Sequence, residues 1–199
     1  MKTRLLLLLL PLIPVATPAS HAAILYSGIQ NLAIPLNLNG LYLNLFTGVT
    51  AGTQPGDWNT APWFNPFFGG VFIGTDAVLR PVITGADQIV KLPAGTTIGG
   101  ASTFATGESG STTHVGAGED QFQFGTPGYL GFGMQTAPAG PDYYGWIQME
   151  IDNTGPGKII SWAYEDASGT PIQAGAVPEP GTVLLALTGA GLALLRRRR

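Results

Sequence analysis

The sequence predicts an all-β fold, a single antiparallel β-sandwich of jelly-roll type, and three observations carry that prediction. Between residues 23 and 175 the apolar residues recur with period two, the mark of strands with one buried face. Turn-forming Gly and Pro pairs separate these short runs, and no window of ten residues in this region has helical periodicity. The chain of 199 residues holds 29 glycines and 16 prolines, which supply positive φ and fixed turn entries. Charged residues are 11% of the chain, too few for a charge-extended disordered polymer. With no cysteine, disulfides, thiol nucleophiles and Cys-ligated zinc are excluded.

The first element lies before the sandwich. Lys2 and Arg4 precede an apolar run from Leu5 to Val15, and small residues around Ser20 and Ala22 follow. This is the three-part pattern of a secretory signal peptide over residues 1–22, a short signal helix that signal peptidase cuts between Ala22 and Ala23. Two prolines and its short length make the run a poor membrane span.

The sandwich strands follow in order. Leu41–Leu45 alternates leucine with Tyr42 and Asn44, and further short runs lie at 71–73, 78–83 and 88–92. Gln121–Phe124 alternates, as do Leu130, Phe132 and Met134 between glycines. In the next run Ile147, Met149 and Ile151 face one way, with Gln148 and Glu150 opposite. In the last, Ile160, Trp162 and Tyr164 oppose Ser161 and Ala163. Residues 99–118, rich in Gly, Ser and Thr, read as a long exposed loop or a weak edge hairpin.

The final element is a tail over residues 176–199. Val177, Pro178, Glu179 and Pro180 precede an uncharged stretch from Gly181 to Leu195, which Arg196, Arg197, Arg198 and Arg199 close. As a helix that stretch reaches about 22 Å, short of the ~30 Å hydrocarbon core, so it is a short transmembrane anchor. The arginines act as a stop-transfer cluster that stays cytoplasmic and leaves the rest outside.

This tail resembles the PEP-CTERM sorting signal. The resemblance implies a Gram-negative bacterium that exports the protein across its inner membrane. It also implies exosortase, a membrane-embedded transpeptidase-like enzyme, as processing partner. The protein would be anchored transiently, then reach the cell surface or the medium, in association with exopolysaccharide or biofilm functions. The order Tyr129-Leu130-Gly131-Phe132, Tyr144-Gly145-Trp146 and Trp162-Ala163-Tyr164-Glu165 is also similar to a recurrent ectodomain of such proteins. That second resemblance brings no catalytic residues with it.

Charge separates the compartments. The signal holds Lys2 and Arg4, the tail holds four arginines, and residues 23–180 hold only Arg80, Lys91 and Lys158 against all 12 acids. An acidic exported part with three cations excludes a nucleic-acid partner.

Few residues invite chemistry. Trp58 and Trp63, in the aromatic run from Asp57 to Phe68, fit the sandwich core and also suit stacking on a sugar ring, so they are the candidate glycan contacts. Trp146, Trp162 and Tyr164 read as core. His114 is expected to be solvated, and the acids Glu119, Asp120, Asp142, Asp152, Glu165 and Asp166 to face water. No Gly-x-Ser-x-Gly elbow or calcium-loop pattern occurs, and no cofactor or metal is expected. The expectation is a non-catalytic structural or adhesive protein that binds polysaccharide. The alternative is an anchored carbohydrate-active enzyme using two acids that meet only in the fold.

Overall fold

The structure, a computed structural model, describes residues 23–76, 78–84, 88–105 and 114–178. The signal segment, Ala22, Glu179, Pro180, the C-terminal hydrophobic stretch and Arg196 to Arg199 lie outside these residues. In chain order the strands are β1 (Ile24–Tyr26), β2 (Leu32–Ile34), β3 (Tyr42–Asn44), β4 (Thr50–Ala51), β5 (Trp63–Phe67), β6 (Phe72–Gly74), β7 (Leu79–Pro81) and β8 (Ile83–Thr84). They continue as β9 (Gln88–Ile89), β10 (Lys91–Leu92), β11 (Thr97–Ile98), β12 (Gly128–Gln135), β13 (Asp142–Glu150), β14 (Gly157–Glu165) and β15 (Ile172–Gln173). Every ladder between these strands is antiparallel, as the alternation predicts.

The long strands β12, β13 and β14 form the middle of the main sheet, ordered β1-β14-β13-β12-β10, with β2 also on β14 and β7 also on β12. A second sheet runs β4-β3-β5-β6, and β11-β15 and β8-β9 are two-stranded. The β13–β14 connection turns on Asp152, whose Oδ1 accepts from the backbone N–H of Thr154 (2.7 Å), its hydroxyl (2.9 Å) and the N–H of Gly155 (3.1 Å). The bonds from Thr154 and then Gly155 hold the Asp152 carboxyl below its ordinary value of 3.8. A lowered folded-state value gives stabilisation that is present above the unfolded value and is lost as pH falls below it. Asp152→Asn should therefore flatten the acid limb of the thermal midpoint plotted against pH; an unchanged limb would reject this role for the carboxylate.

Apolar packing occupies both faces of the main sheet. On one face Leu130, Phe132, Met134, Ile147, Met149, Ile159, Trp162 and Tyr164 share a buried cluster with Leu43, Phe64 and Ile73 of the second sheet and with Leu45 just after β3. On the other, Tyr144, Trp146 and Ala163 cluster with Val82, Val90, Ile98, Ile172 and Ala174. The half-buried strands expected from alternation are thus buried on both sides at mid-sheet. The glycines of β12 make this possible: a Cβ on Gly131 would lie 2.7 Å from Leu92 and 2.9 Å from Val82, and one on Gly133 would lie 3.2 Å from Phe104. Bare backbone there lets the second layer rest directly on the strand.

Three expectations are corrected. In β14 the register steps from Gln148↔Ser161 to Met149↔Ile159, leaving Ile160 as the extra residue of a bulge. Ile159, not Ile160, joins Trp162 and Tyr164 in the core, because one inserted residue reverses the alternation. The Ile160 carbonyl instead accepts from the N–H groups of Gln30 and Asn31, where the chain passes from β1 to β2. Gln121–Phe124 is not a strand: Phe122 makes a single isolated bridge with Val115. Finally, the described start of the 99–118 segment is exposed at Gly100, Ala101 and Thr103 but not free of the sheet, since Phe104 bridges Val82, stacks on Tyr144 (5.7 Å between centroids) and leads to buried Ala105.

Candidate functional site

The tail leaves the fold from a built exit. Strand β15 pairs with β11, placing Ile172 opposite Ile98. The Ala174 N–H then donates to the Thr96 carbonyl (2.9 Å), and the Ala176 N–H donates to the Gln173 carbonyl (2.9 Å). Gly175 closes this turn at φ +83°, where only a residue without Cβ is unstrained. The carbonyl of Ala176 accepts a 3.0 Å bond from Nε1 of Trp146. Trp146 is buried and meets the edge of Tyr129 at 5.3 Å between centroids. The chain passes from Ala174, 2% exposed, to Val177, 45% exposed, within three residues. Val177 and Pro178 are therefore presented to solvent from a fixed point on the sheet. The sequence made Trp146 a core residue; its indole N–H bond to the tail exit depends on β15 returning beside β13.

Trp58 and Trp63 are both buried, 8% and 5% exposed. The indole N–H of Trp63 donates to Asp57 Oδ1 (3.0 Å), and Trp58 meets Tyr42 edge-on at 5.4 Å. Phe64 lies in the main core, while Phe67 stacks on Phe72 at 5.2 Å. Packing is the role these contacts give the aromatic run, and neither indole offers an open face for a sugar.

A concave site lies elsewhere, where half-buried Phe46 stands over Trp162 and Tyr164, each 7% exposed. A cleft of about 360 Å³ is lined by Leu25, Ser27, Gln30, Phe46, Trp162 and Tyr164, with the turn at Thr47 and Gly48 as its lip. Asn44 builds that lip: its Oδ1 accepts from the N–H groups of Phe46 (3.1 Å) and Thr47 (3.0 Å). Trp162 Nε1 donates to the Leu45 carbonyl (3.2 Å), fixing the floor against the lip. Phe46 packs edge-on against Tyr164 (4.9 Å) and Tyr143 (5.6 Å). Burial, then the charge of Asp166, pushes the Tyr164 hydroxyl above its ordinary value, so it stays a neutral hydrogen-bonding group. Sequence reasoning placed Trp162 and Tyr164 in the core but missed the cleft. Nothing local in the sequence brings residues 25–30, 45–48 and 162–164 together.

His114, expected in water, is fully buried. Its Nε2 lies 3.1 Å from the carbonyl of Gly70, and its ring meets Phe122 edge-on at 6.2 Å. The turn at Phe68–Gly70 points a carbonyl inward, and a buried carbonyl requires a partner. Of the acids expected in water, Glu165 is only 5% exposed, while Asp142 is partly exposed and pairs with Arg80; on β13, Glu150 pairs with Lys158 (3.1 Å). Among the described residues no three His, Asp or Glu side chains are grouped to hold a metal ion.

Fold and site together define an all-β domain with a fixed, solvent-facing exit for a C-terminal tail. Residues 176–199 match the PEP-CTERM protein-sorting motif, so the chain carries the signal of an exported protein sorted by exosortase to the cell envelope or surface. Comparison of the chain with curated proteins and with solved structures gives no match. Among the described residues no helix is long and apolar enough to cross a membrane.

Proposed function

We propose that this protein is a non-catalytic structural or adhesive component of the cell surface or extracellular matrix, a β-sandwich displayed outside and associated with polysaccharide. The observation that carries the sorting half of this reading is the matched motif at 176–199, which begins at the residue bonded to Trp146. Signal peptidase opens the route by cutting between Ala22 and Ala23, and exosortase acts on the tail while its short helix holds the protein at the inner membrane of a Gram-negative cell. The cluster shared by the main and second sheets supports the sandwich scaffold. The cleft beside Phe46 supports binding, because one half-buried aromatic ring with Ser27, Gln30 and Thr47 at the rim suits a sugar's C–H face and hydroxyls.

The enzyme alternative needs two carboxyls flanking a glycosidic bond at about 5 to 10 Å. Glu165 and Asp166 are adjacent in sequence at the end of β14, and Glu165 is buried at 5% exposure, so it does not stand open beside a sugar. Asp142 and Glu150 hold ion pairs, Asp152 holds a turn, and Asp57 accepts from the Trp63 indole.

One preparation tests the proposal: protein recovered from the exporting cell, with its intact mass measured and its co-sedimentation with host polysaccharide assayed. The expected form begins at Ala23, ends near Pro180, and sediments with polysaccharide in a manner weakened by Gln30→Ala and Phe46→Ala. A mature form still ending at Arg199 would overturn the processing reading. Equal sedimentation of folded wild type and variants would overturn the cleft as the binding site.

A further inference from the structure

Strand β1 begins at Ile24, and the backbone nitrogen of Ala23, one residue earlier, lies 2.7 Å from Oδ1 of Asp166. The reverse backbone bond is also made, from the Asp166 N–H to the Ala23 carbonyl (3.0 Å). Beside this pair Glu165 is 5% exposed, opposite Ile24 in the β1–β14 register, and its Oε1 has no hydrogen-bond partner among the described residues. A buried carboxyl oxygen in that condition, next to a second carboxyl, calls for a cation.

The side chains of the exported part do not supply one. Arg80 holds Asp142, Lys158 holds Glu150, and Lys91 sits on β10, at the opposite edge of the sheet from β1. The sequence contains no other Lys or Arg between residues 23 and 178.

We propose that Glu165 and Asp166 form the receptor for the α-ammonium group that signal-peptide removal creates on Ala23, so that export completes an ion pair the precursor lacks. The proposal rests on cleavage between Ala22 and Ala23. In the precursor the Ala23 nitrogen is a neutral amide with one N–H to donate. After cleavage the same atom carries a positive charge and three donors, at the same place in the fold. Removal of the signal thus locks β1 onto the edge of β14.

The electrostatics agree. Burial, then the neighbouring Asp166 charge, pushes the Glu165 carboxyl above its ordinary value in the uncleaved chain, against the opposing backbone bonds of Ala167 and Asp166. An ammonium beside the pair draws it back down. The charged groups at the site are Glu165 and Asp166; the Asp166 charge also acts on Tyr164, which packs on the opposite face of β14. The charge of Asp142 is held by Arg80.

The test uses mature protein from the exporting cell. Its first residue is read by N-terminal peptide mass, and the α-amine is titrated by competitive acylation. The expected chain starts at Ala23 with an α-amine value raised by about one unit above the usual ~7.7 to 8.0, and Asp166→Asn returns it to that range. Because the partner raises the folded-state value, the stabilisation is present below about pH 8 and is lost as pH rises through the raised value. The thermal midpoint should therefore fall over that alkaline window in the wild type and stay flatter in Asp166→Asn. Glu165→Gln, which keeps the side-chain shape, should lower the amine value in part. A chain starting at Ala23 whose α-amine titrates alike in wild type and Asp166→Asn would overturn the pairing while leaving the cleavage site intact. A chain starting elsewhere would overturn both.

Discussion

Trp146→Ala is expected to cost about 3 to 5 kcal/mol of folding stability, the range for removing a large aromatic from a packed core. The indole is 2% exposed among Tyr26, Tyr129 and the second apolar cluster, so its removal leaves a void that the rigid strands β12 to β14 do not close. A second consequence lies at the tail. Without Nε1 the Ala176 carbonyl loses its donor, and the stretch from Ala174 to Val177 should become more sensitive to protease. Trp146→Phe separates the two effects. It keeps most of the ring and removes the bond, so it should cost less overall, about 1 kcal/mol from the bond itself, yet still loosen the exit. Urea unfolding with limited proteolysis reads both quantities. A Trp146→Ala variant within about 1 kcal/mol of wild type would show that the second cluster is not a cooperative part of the fold.

Gly145→Ala is expected to be comparably damaging for the opposite reason. A Cβ at this position would lie 2.2 Å from Cζ of Phe132 and 2.5 Å from the carbonyl oxygen of Ala163. The ring has some freedom to shift, but the carbonyl belongs to the neighbouring strand and does not. Overpacking of this kind costs about 1 to 3 kcal/mol, occasionally more, and contact with a fixed backbone places this case at the upper end. The companion variant Phe132→Leu discriminates between the two contacts. If the carbonyl dominates, adding Phe132→Leu to Gly145→Ala restores little stability, and that is the expected result. Full rescue would assign the clash to the ring. Gly169 provides a contrast, since it has no heavy atom within 4 Å of its Cβ position and any cost there comes from its φ of +73° alone.

How far the fold was legible differs from element to element. The alternation in Leu130–Met134 and in Ile147–Ile151 was readable because a two-residue period is a local property of the chain. The burial of Tyr144, Trp146 and Ala163 on the opposite face was not, because it depends on β11, β15 and Phe104 arriving from distant positions. The bulge at Ile160 was invisible for a similar reason: Lys158-Ile159-Ile160 fits either register, and only pairing with β13 decides which isoleucine is inside. His114 was misplaced because polar, Gly-rich surroundings signal solvent, whereas the inward carbonyl of Gly70 lies 44 residues away in sequence. At the candidate sites, the sorting tail was readable as a stretch, the one the motif matches at 176–199. The cleft over Trp162 and Tyr164 was not, since its walls are the chain near Ser27 and the turn after Asn44.

The sequence by itself determined the strand-rich composition, the absence of cysteine chemistry, the matched tail, and the division of charge between basic ends and an acidic middle. These are properties of composition and order, and folding does not alter them. Only the tertiary structure decided which face each strand buries, that Trp146 holds the tail exit, and that Ala23 meets Asp166, 143 positions further along the chain. The physical reason is range. Alternation and turn chemistry act over a few residues, whereas parity after a bulge, burial on a second face and ion pairing are set by contacts between distant segments.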